Sequence, residues 1–543
     1  MSPIRIALYD STLRDGAQTE GVAFSLNDKL SATMRLDDLG IDYVEGGYPA
    51  SNEKDKSYFE EVARRSFNNT QICAFGMTRR KGVTPSEDAG LLQLVNSSAP
   101  ILTIVGKSSL FQATEVLRVA PEENLAMIDE TIRYALESGK RVFFDAEHFF
   151  DGLKYDASYA LETLRVATCA GAETVVLCDT NGGSIPDEIA DATRQAVAAV
   201  KTISEATEIG IHAHNDCGLA VANTLAAIDS GATMAQGTIN GVGERCGNAD
   251  LLVIAANLAL KKNGRYDVLK PGSIERLTAT SRFFYDLTNL NPIPGQPFVG
   301  KSAFAHKAGM HVSGINRIPS SYEHIAPELV GNERRILVSE LSGKSNIIAY
   351  ANKYHLGDDS SLSPEMVQKI LDEISKKESQ GYQYEAAEGS FKLLVNKLKG
   401  EFSPSFHRIN YQTSVLVNVI NDESEEAYNA TVATVKLSVG QHGEIRHEVA
   451  EGDGPVDALN NALRKALQPI YPELDEMKLV DYKVRVLNSD AGTAATTRVI
   501  IESRDSEELW RTVGVNENVV EASWIALCDS FEYKLSKAVQ AKQ

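Results

Sequence analysis

The chain lacks most of what would mark a membrane, disulfide-bonded or nucleic-acid-binding protein. Its nearest approach to an apolar span, Leu251–Leu260, is about half of the ~20 residues that a spanning helix requires. Positive charge is scarce: 54 Lys and Arg stand against 74 Asp and Glu, a formal net charge of −20 at pH 7. With no basic stretch, neither nucleic acid nor an anionic membrane is expected as the main partner, because phosphate surfaces are bound by clustered cations. Six cysteines, Cys73, Cys169, Cys178, Cys217, Cys246 and Cys528, include no CxxC pair. They fit small buried residues of a reducing compartment, not a disulfide framework or a cysteine zinc site. No GxGxxG opens a helix, and no phosphate-cradling loop is present. A strand-like run, Ile4–Tyr9, begins almost at once and leaves no room for a signal peptide. The expectation is a cytoplasmic protein.

What is there has a rhythm. Strand-like runs begin near Ile4, Asp42, Gln71, Ile101, Arg141, Thr174, Glu208 and Met234. Amphipathic stretches separate them, among them Asn27–Leu39, Glu122–Ser138, Asp156–Ala170 and Pro186–Val200. Several end in a glycine that stops the helix before the next strand: Gly40, Gly139, Gly171 and Gly231. Strand–helix units repeated eight times over about 260 residues predict an α/β fold of the (β/α)8 TIM-barrel type, preferred over a doubly wound open sheet. In a barrel, chemistry sits where strands end. The polar clusters fall there: Asp10–Gln18, Glu45–Pro49, Asp145–His148, Cys178–Gly183, His212–Asp216 and Asn240–Asn248. His212 and His214 are two apart on a strand, so their imidazoles converge on one side. That pattern suits a metal site, or simply two polar histidines at a strand end.

At these residues the sequence resembles a family. LRDGAQ (Leu13–Gln18), HAHND (His212–Asp216) and GTINGVGERCGN (Gly237–Asn248) are similar to motifs of the TIM-barrel metallolyases that make 2-isopropylmalate, homocitrate and citramalate. EGGYP, DAEHFFDG and LCDTNGG are most similar to the long citramalate-forming members. The resemblance implies condensation of acetyl-CoA with pyruvate and hydrolysis of the thioester, within isoleucine biosynthesis. Homocitrate or 2-isopropylmalate formation on a larger keto acid is the alternative, and a non-catalytic amino-acid sensor is the reading from another class. Asp15, His212, His214 and Asn248 would then hold a divalent ion, Mn²⁺ or Mg²⁺ in preference to Zn²⁺, because mixed nitrogen and oxygen donors plus a chelating keto acid make a six-coordinate site. Arg14 would stabilise charge on the substrate oxygen, Thr180 would bind the keto acid's carboxylate, and Glu147 would take part in deprotonation. Tyr48, Phe75 and Met77, at the ends of the second and third strands, would line the keto-acid pocket. Glu244 and Arg245 are expected to pair with each other.

Beyond the barrel (1–280) the pattern changes. Asn291–Pro297 holds three prolines and cannot be regular helix or central strand. The segment to residue 400 is expected to be linker subdomains. It carries His311 of FAHKAGMH and Tyr322 of YEHIAP, which the resemblance implies are a catalytic base and its helper. Ser363–Lys377 and Glu388–Lys399 have helical periodicity. The tail, 401–543, reads as two βββα units: strands Tyr411–Ile420, Asn429–Ser438 and Glu444–Ala450 with helix Pro455–Leu467, then Lys478–Leu487, Ala494–Ser503 and Leu509–Val515 with helix Asn518–Leu535. Small-residue loops at Gly452–Gly454 and Asp490–Ala495 could accept a small ligand. The resemblance implies a regulatory domain that answers to isoleucine, and a homodimer.

Overall fold

Eight parallel strands close into a barrel: β1 (Ala7–Asp10), β2 (Tyr43–Glu45), β3 (Gln71–Met77), β4 (Ile101–Lys107), β5 (Arg141–Glu147), β6 (Thr174–Asp179), β7 (Glu208–Ala213) and β8 (Met234–Gly237), with β8 pairing back to β1. This computed structural model describes residues 2–336, 363–417, 429–440, 443–488, 492 and 494–542. They fall into two compact units, Met1–Phe304 with Ile325–Arg334, and Ala305–His324 with Arg335–Gln543.

Local sequence explains the barrel's elements. The helix Leu26–Leu39 starts at a capping box in which the Ser25 hydroxyl accepts from Asp28 N and the Asp28 carboxylate accepts from Ser25 N. It stops at Gly40, whose φ of 93° a side chain would resist. Alternation decides what fills the barrel. Tyr9, Cys73, Ile101, Phe143, Val176 and Met234 form the apolar base of the interior. Above them the same inward positions become polar: Glu45, Thr103, Asp145, His212 and Gln236, all buried. The first predicted strand is split. Ile4–Arg5 pairs outside the barrel with Tyr266–Asp267, and the barrel strand proper begins at Ala7.

In the second unit, β9 (Phe406–Val417), β10 (Asn429–Val439) and β11 (Glu444–Gly452) form one antiparallel sheet, and β12 (Lys478–Val486), β13 (Thr497–Arg504) and β14 (Leu509–Asn516) another. Along β10, Ala433, Val435, Leu437 and Val439 are buried, every second residue. The helix Pro455–Leu467 buries Ala458, Leu459, Ala462, Leu463, Ala466 and Leu467, a stripe of period 3–4. Helix Val519–Lys542 follows the second sheet. Two βββα units are therefore present, as the sequence predicts. The helices Pro364–Ser379 and Glu388–Lys399 also appear where expected. Of the loop Asp490–Ala495, Asp490, Ala491 and Thr493 lie outside the described residues, as does the predicted strand end 418–420.

Candidate active site

At the C-terminal mouth of the barrel, Asp15, His212 and His214 bring one ligand atom each within 4.8 Å of one another, and all three are buried. The two imidazoles meet through their Nε2 atoms at 3.2 Å, and His212 Nε2 is 3.5 Å from Asp15 Oδ2. Two neutral nitrogens at that distance repel unless a proton or cation lies between them. Burial holds both imidazoles below their usual pKa, His214 at about 4, where the neighbouring His212 adds to the effect. Burial works against the charge of Asp15, but Arg14 and then the two histidines outweigh it and hold its carboxyl low. The site is thus set for neutral imidazoles beside an ionised carboxylate, the protonation states a cation needs.

Asn248 completes the set. Its Nδ2 donates to Val242 O at 3.3 Å, leaving Oδ1 buried and without a partner; Asp15 Oδ1 is orphaned in the same way. Unsatisfied buried oxygens are costly, and two beside two imidazoles fit a divalent ion. Glycines permit the close packing. A Cβ on Gly243 would sit 2.2 Å from Asn248 Nδ2, and Gly247, at φ 86°, would drive one to 2.1 Å from Gly241 O. Asn248 does not cap the following helix. Asp250 does, accepting from Leu252 N.

The candidate ligands are held by a polar network inside the barrel. Gln236 Oε1 lies 3.1 Å from His212 Nδ1, and Gln236 Nε2 donates to Asp145 Oδ1 at 3.1 Å. An amide oxygen facing Nδ1 fixes the proton there and leaves the Nε2 lone pair for a cation. Burial, helped by Glu45, pushes the Asp145 carboxyl up to about 8. Arg14 bridges Glu45 (Nε to Oε2, 2.6 Å) and Asp15 (Nη1 to Oδ2, 3.2 Å), and its guanidinium lies 4.0 Å from the centroid of Phe75. Glu45 is anchored in turn by Tyr9 (2.8 Å) and Ser11 (2.5 Å). The Thr180 hydroxyl accepts from His148 N at 2.8 Å, which leaves its own proton to donate.

The three predicted keto-acid residues part company. Phe75 supports Arg14 and packs edge-on to Tyr48 at 6.0 Å. Tyr48 and Met77 instead line a cavity of about 530 Å³ that also takes in Lys107, Glu147 and the basic run Arg79–Lys81. Glu147 is ion-paired to Lys107. Arg245 does reach Glu244 (3.3 Å), but its main partner is Asp216, held by two bonds of 2.8 and 3.0 Å. Two parallel bonds to a carboxylate outweigh a single bond to a neighbour, and they brace the last loop against that after β7.

The HMGL-like family model matches residues 5–283. The homocitrate synthase post-HMGL domain-like model matches 298–381, and the LeuA allosteric (dimerisation) domain matches 385–535. The (R)-citramalate synthase of Geobacter sulfurreducens is 46% identical over 534 residues, covering 98% of each chain. That of Aquifex aeolicus is also 46% identical over 534 residues, with the same coverage. The chain belongs to the citramalate synthase family. A 2-isopropylmalate synthase of Methanocaldococcus jannaschii is 28% identical over 535 residues, 98% of this chain and 96% of that one.

In this citramalate synthase family member, His311 and Tyr322 belong to the second unit. Their rings stack with centroids 4.2 Å apart and planes at 27°. The approach depends on Gly314, where a Cβ would fall 2.6 Å from the Tyr322 ring. Glu323, next to Tyr322, is buried against His306 at 3.2 Å, so His306 serves as a brace. Sequence reasoning missed Glu45 as the anchor of Arg14, Gln236 as the partner of His212, and Lys107. A signal existed for each, since all three occupy inward positions of their strands, but their partners lie on other strands or, for Arg14, in the turn after β1.

Proposed function

We propose that the chain condenses acetyl-CoA with pyruvate and hydrolyses the thioester, giving (R)-citramalate and CoA. The observation that carries this is identity of 46% to (R)-citramalate synthases over 98% of the chain, joined to a fitting metal constellation. Asp15, His212, His214 and Asn248 would hold the ion, Mn²⁺ or Mg²⁺ in preference to Zn²⁺ given two oxygen donors. A divalent ion there supplies Lewis acidity toward the keto oxygen of the substrate. Arg14, fixed between Asp15 and Glu45, faces developing negative charge from a rigid position. Thr180 offers its free hydroxyl proton to the keto acid's carboxylate. The cavity beside Glu147 receives the acyl donor, with Tyr48 and Met77 as apolar walls. Phe75 limits the keto acid through Arg14, whose guanidinium it supports. His311, with Tyr322 stacked on it, takes the methyl proton, and Glu147 assists.

The same reading assigns 1–280 to catalysis, 281–400 to linker subdomains and 401–543 to regulation. The match to the LeuA allosteric (dimerisation) domain supports a homodimer, and isoleucine, the end product of the route that citramalate opens, is the proposed feedback inhibitor. Of the six free cysteines, Cys73, Cys178 and Cys528 are buried as expected, whereas Cys169, Cys217 and Cys246 are exposed; six free thiols fit a cytoplasmic setting. No helix among the described residues is long and apolar enough to cross a membrane. A panel of 2-keto acids, assayed by thiol release from acetyl-CoA with Mn²⁺ present, tests the function. Turnover should be greatest on pyruvate; equal turnover on 2-ketoisovalerate would defeat the pyruvate assignment.

A further inference from the structure

The barrel-mouth cavity contains one cation whose only carboxylate partner, among the described residues, is the glutamate of the proton-transfer step. Lys107 ends β4 and is in parallel register with Glu147, the last residue of β5. Ile101 and Thr103 point into the barrel, where Thr103 meets the Tyr9 hydroxyl at 2.7 Å; Lys107, an even number of residues on, shares that face. The Lys107 ammonium is paired with Glu147, and both line the cavity with Tyr48 and Met77. The neighbouring cations are committed elsewhere. Arg14 bridges Asp15 and Glu45. Arg79 is divided between Glu123 (2.8 Å) and Glu130 (2.6 Å), Arg80 is on Asp88 (3.0 Å), and Lys81 is on Arg118 O (2.8 Å). An ammonium has three N–H donors, so one carboxylate leaves Lys107 capacity to bind a second oxygen.

We propose that Lys107 is a catalytic residue that holds the thioester oxygen of the acyl donor while the enolate forms; this rests on the acetyl-CoA reading above. When the methyl C–H bond breaks, its proton goes to the base of the reaction proposed above and its electron pair becomes the C=C bond. The carbonyl π pair moves onto the thioester oxygen, and the negative charge there meets the Lys107 ammonium. As the enolate carbon bonds to the keto carbon, the enolate oxygen's pair restores the thioester carbonyl and releases that oxygen from Lys107, while the keto C=O π pair moves onto the keto oxygen. Glu147 thereby acts through Lys107, keeping the ammonium aimed.

The test uses the full chain loaded with Mn²⁺. Lys107→Met should lower kcat by about 10²–10³-fold, as loss of one oxyanion donor does, with pyruvate KM and Mn²⁺ affinity unchanged. Lys107→Arg should recover part of the rate. With acetyl-CoA deuterated on the methyl group, Lys107→Met should show a larger isotope effect than the parent, because proton removal becomes slower. Lys107→Gln, which keeps a hydrogen bond to Glu147, should be as slow as Lys107→Met. Parental kcat in Lys107→Gln, or an unchanged isotope effect in Lys107→Met, would overturn the assignment. So would a Glu147→Gln loss larger than that of Lys107→Met and equal to that of the double variant, since Lys107 would then merely hold Glu147. If the parent itself releases no thiol with pyruvate, the proposed function fails instead.

Discussion

Gln236 is the residue on which the metal-site geometry turns. Replacing it with methionine keeps the volume but removes both the acceptor facing His212 Nδ1 and the donor facing Asp145 Oδ1, each bond 3.1 Å long. Two consequences separate. First, His212 is free to carry its proton on Nε2, the atom that faces His214 at 3.2 Å. Loss of such an outer partner typically weakens metal binding about 10–100-fold, or roughly 1.4–2.7 kcal/mol. Second, the buried Asp145 oxygen loses its partner, at a cost to folding of about 1–3 kcal/mol. Calorimetric titration of Mn²⁺ reads the first effect and denaturant unfolding of the metal-free chain reads the second. Gln236→Glu keeps an acceptor toward Nδ1, so its Mn²⁺ affinity should stay near the parent's although its stability falls. If Gln236→Met bound Mn²⁺ like the parent, or Gln236→Glu lost as much affinity, the tautomer argument would be wrong.

Three other outcomes are expected. Asp505 is buried against Lys534 and Lys537 and accepts from Glu507 N and Glu508 N; burial opposes its charge, but these partners outweigh it and hold its carboxyl far below the usual range. A lowered folded pKa means its stabilisation is complete above the unfolded value of about 3.9 and is lost as pH falls below it, so Asp505→Asn should destabilise by about 1.5–3 kcal/mol at pH 7 and show a smaller acid-induced loss, checked by urea unfolding at pH 7 and at a pH below about 3.9. Phe75→Ala removes the ring beneath Arg14 and should raise pyruvate KM and lower kcat together, costing about 1–2 kcal/mol of transition-state stabilisation; steady-state thiol release checks this, and unchanged kinetics would detach Phe75 from the site. A chain ending at Gly400 should keep its Mn²⁺ site yet lose inhibition by isoleucine, measured by calorimetry and thiol release, whereas undiminished inhibition would remove the effector site from the tail.

The barrel is legible in the sequence because its signals are local. Capping at Ser25, left-handed glycines at Gly40, Gly139, Gly171 and Gly231, and alternation along β7 all act within a few residues. His212 and His214 could be paired on paper because strand geometry alone aligns them. Partnerships across the barrel could not. Lys107 meets Glu147, and Gln236 meets His212, because register between neighbouring strands brings them together, whereas Gln236 meets Asp145 across the barrel interior; no single strand records either. Arg245 illustrates the limit. Its adjacent Glu244 was the nearest acid in sequence, but the loop backbone, with Arg245 itself at φ 56°, turns the guanidinium onto Asp216. Likewise Asn248 resembles a helix cap on paper until the chain is seen to leave that task to Asp250, and the Asn248 Oδ1 stays buried without a partner.

The most direct test of the account combines metal binding and chemistry on the same samples. Parent chain and the His212→Ala/His214→Ala double variant, both stripped of metal, would be titrated with Mn²⁺ by calorimetry and then assayed for thiol release from acetyl-CoA with pyruvate. The parent should bind one ion per chain and turn over only when loaded. The double variant should remain folded, because both imidazoles lie at the functional end of β7 and outside the barrel's apolar base, yet bind Mn²⁺ weakly and release no thiol above background. Parental Mn²⁺ affinity or parental turnover in the double variant would contradict the assignment of this site.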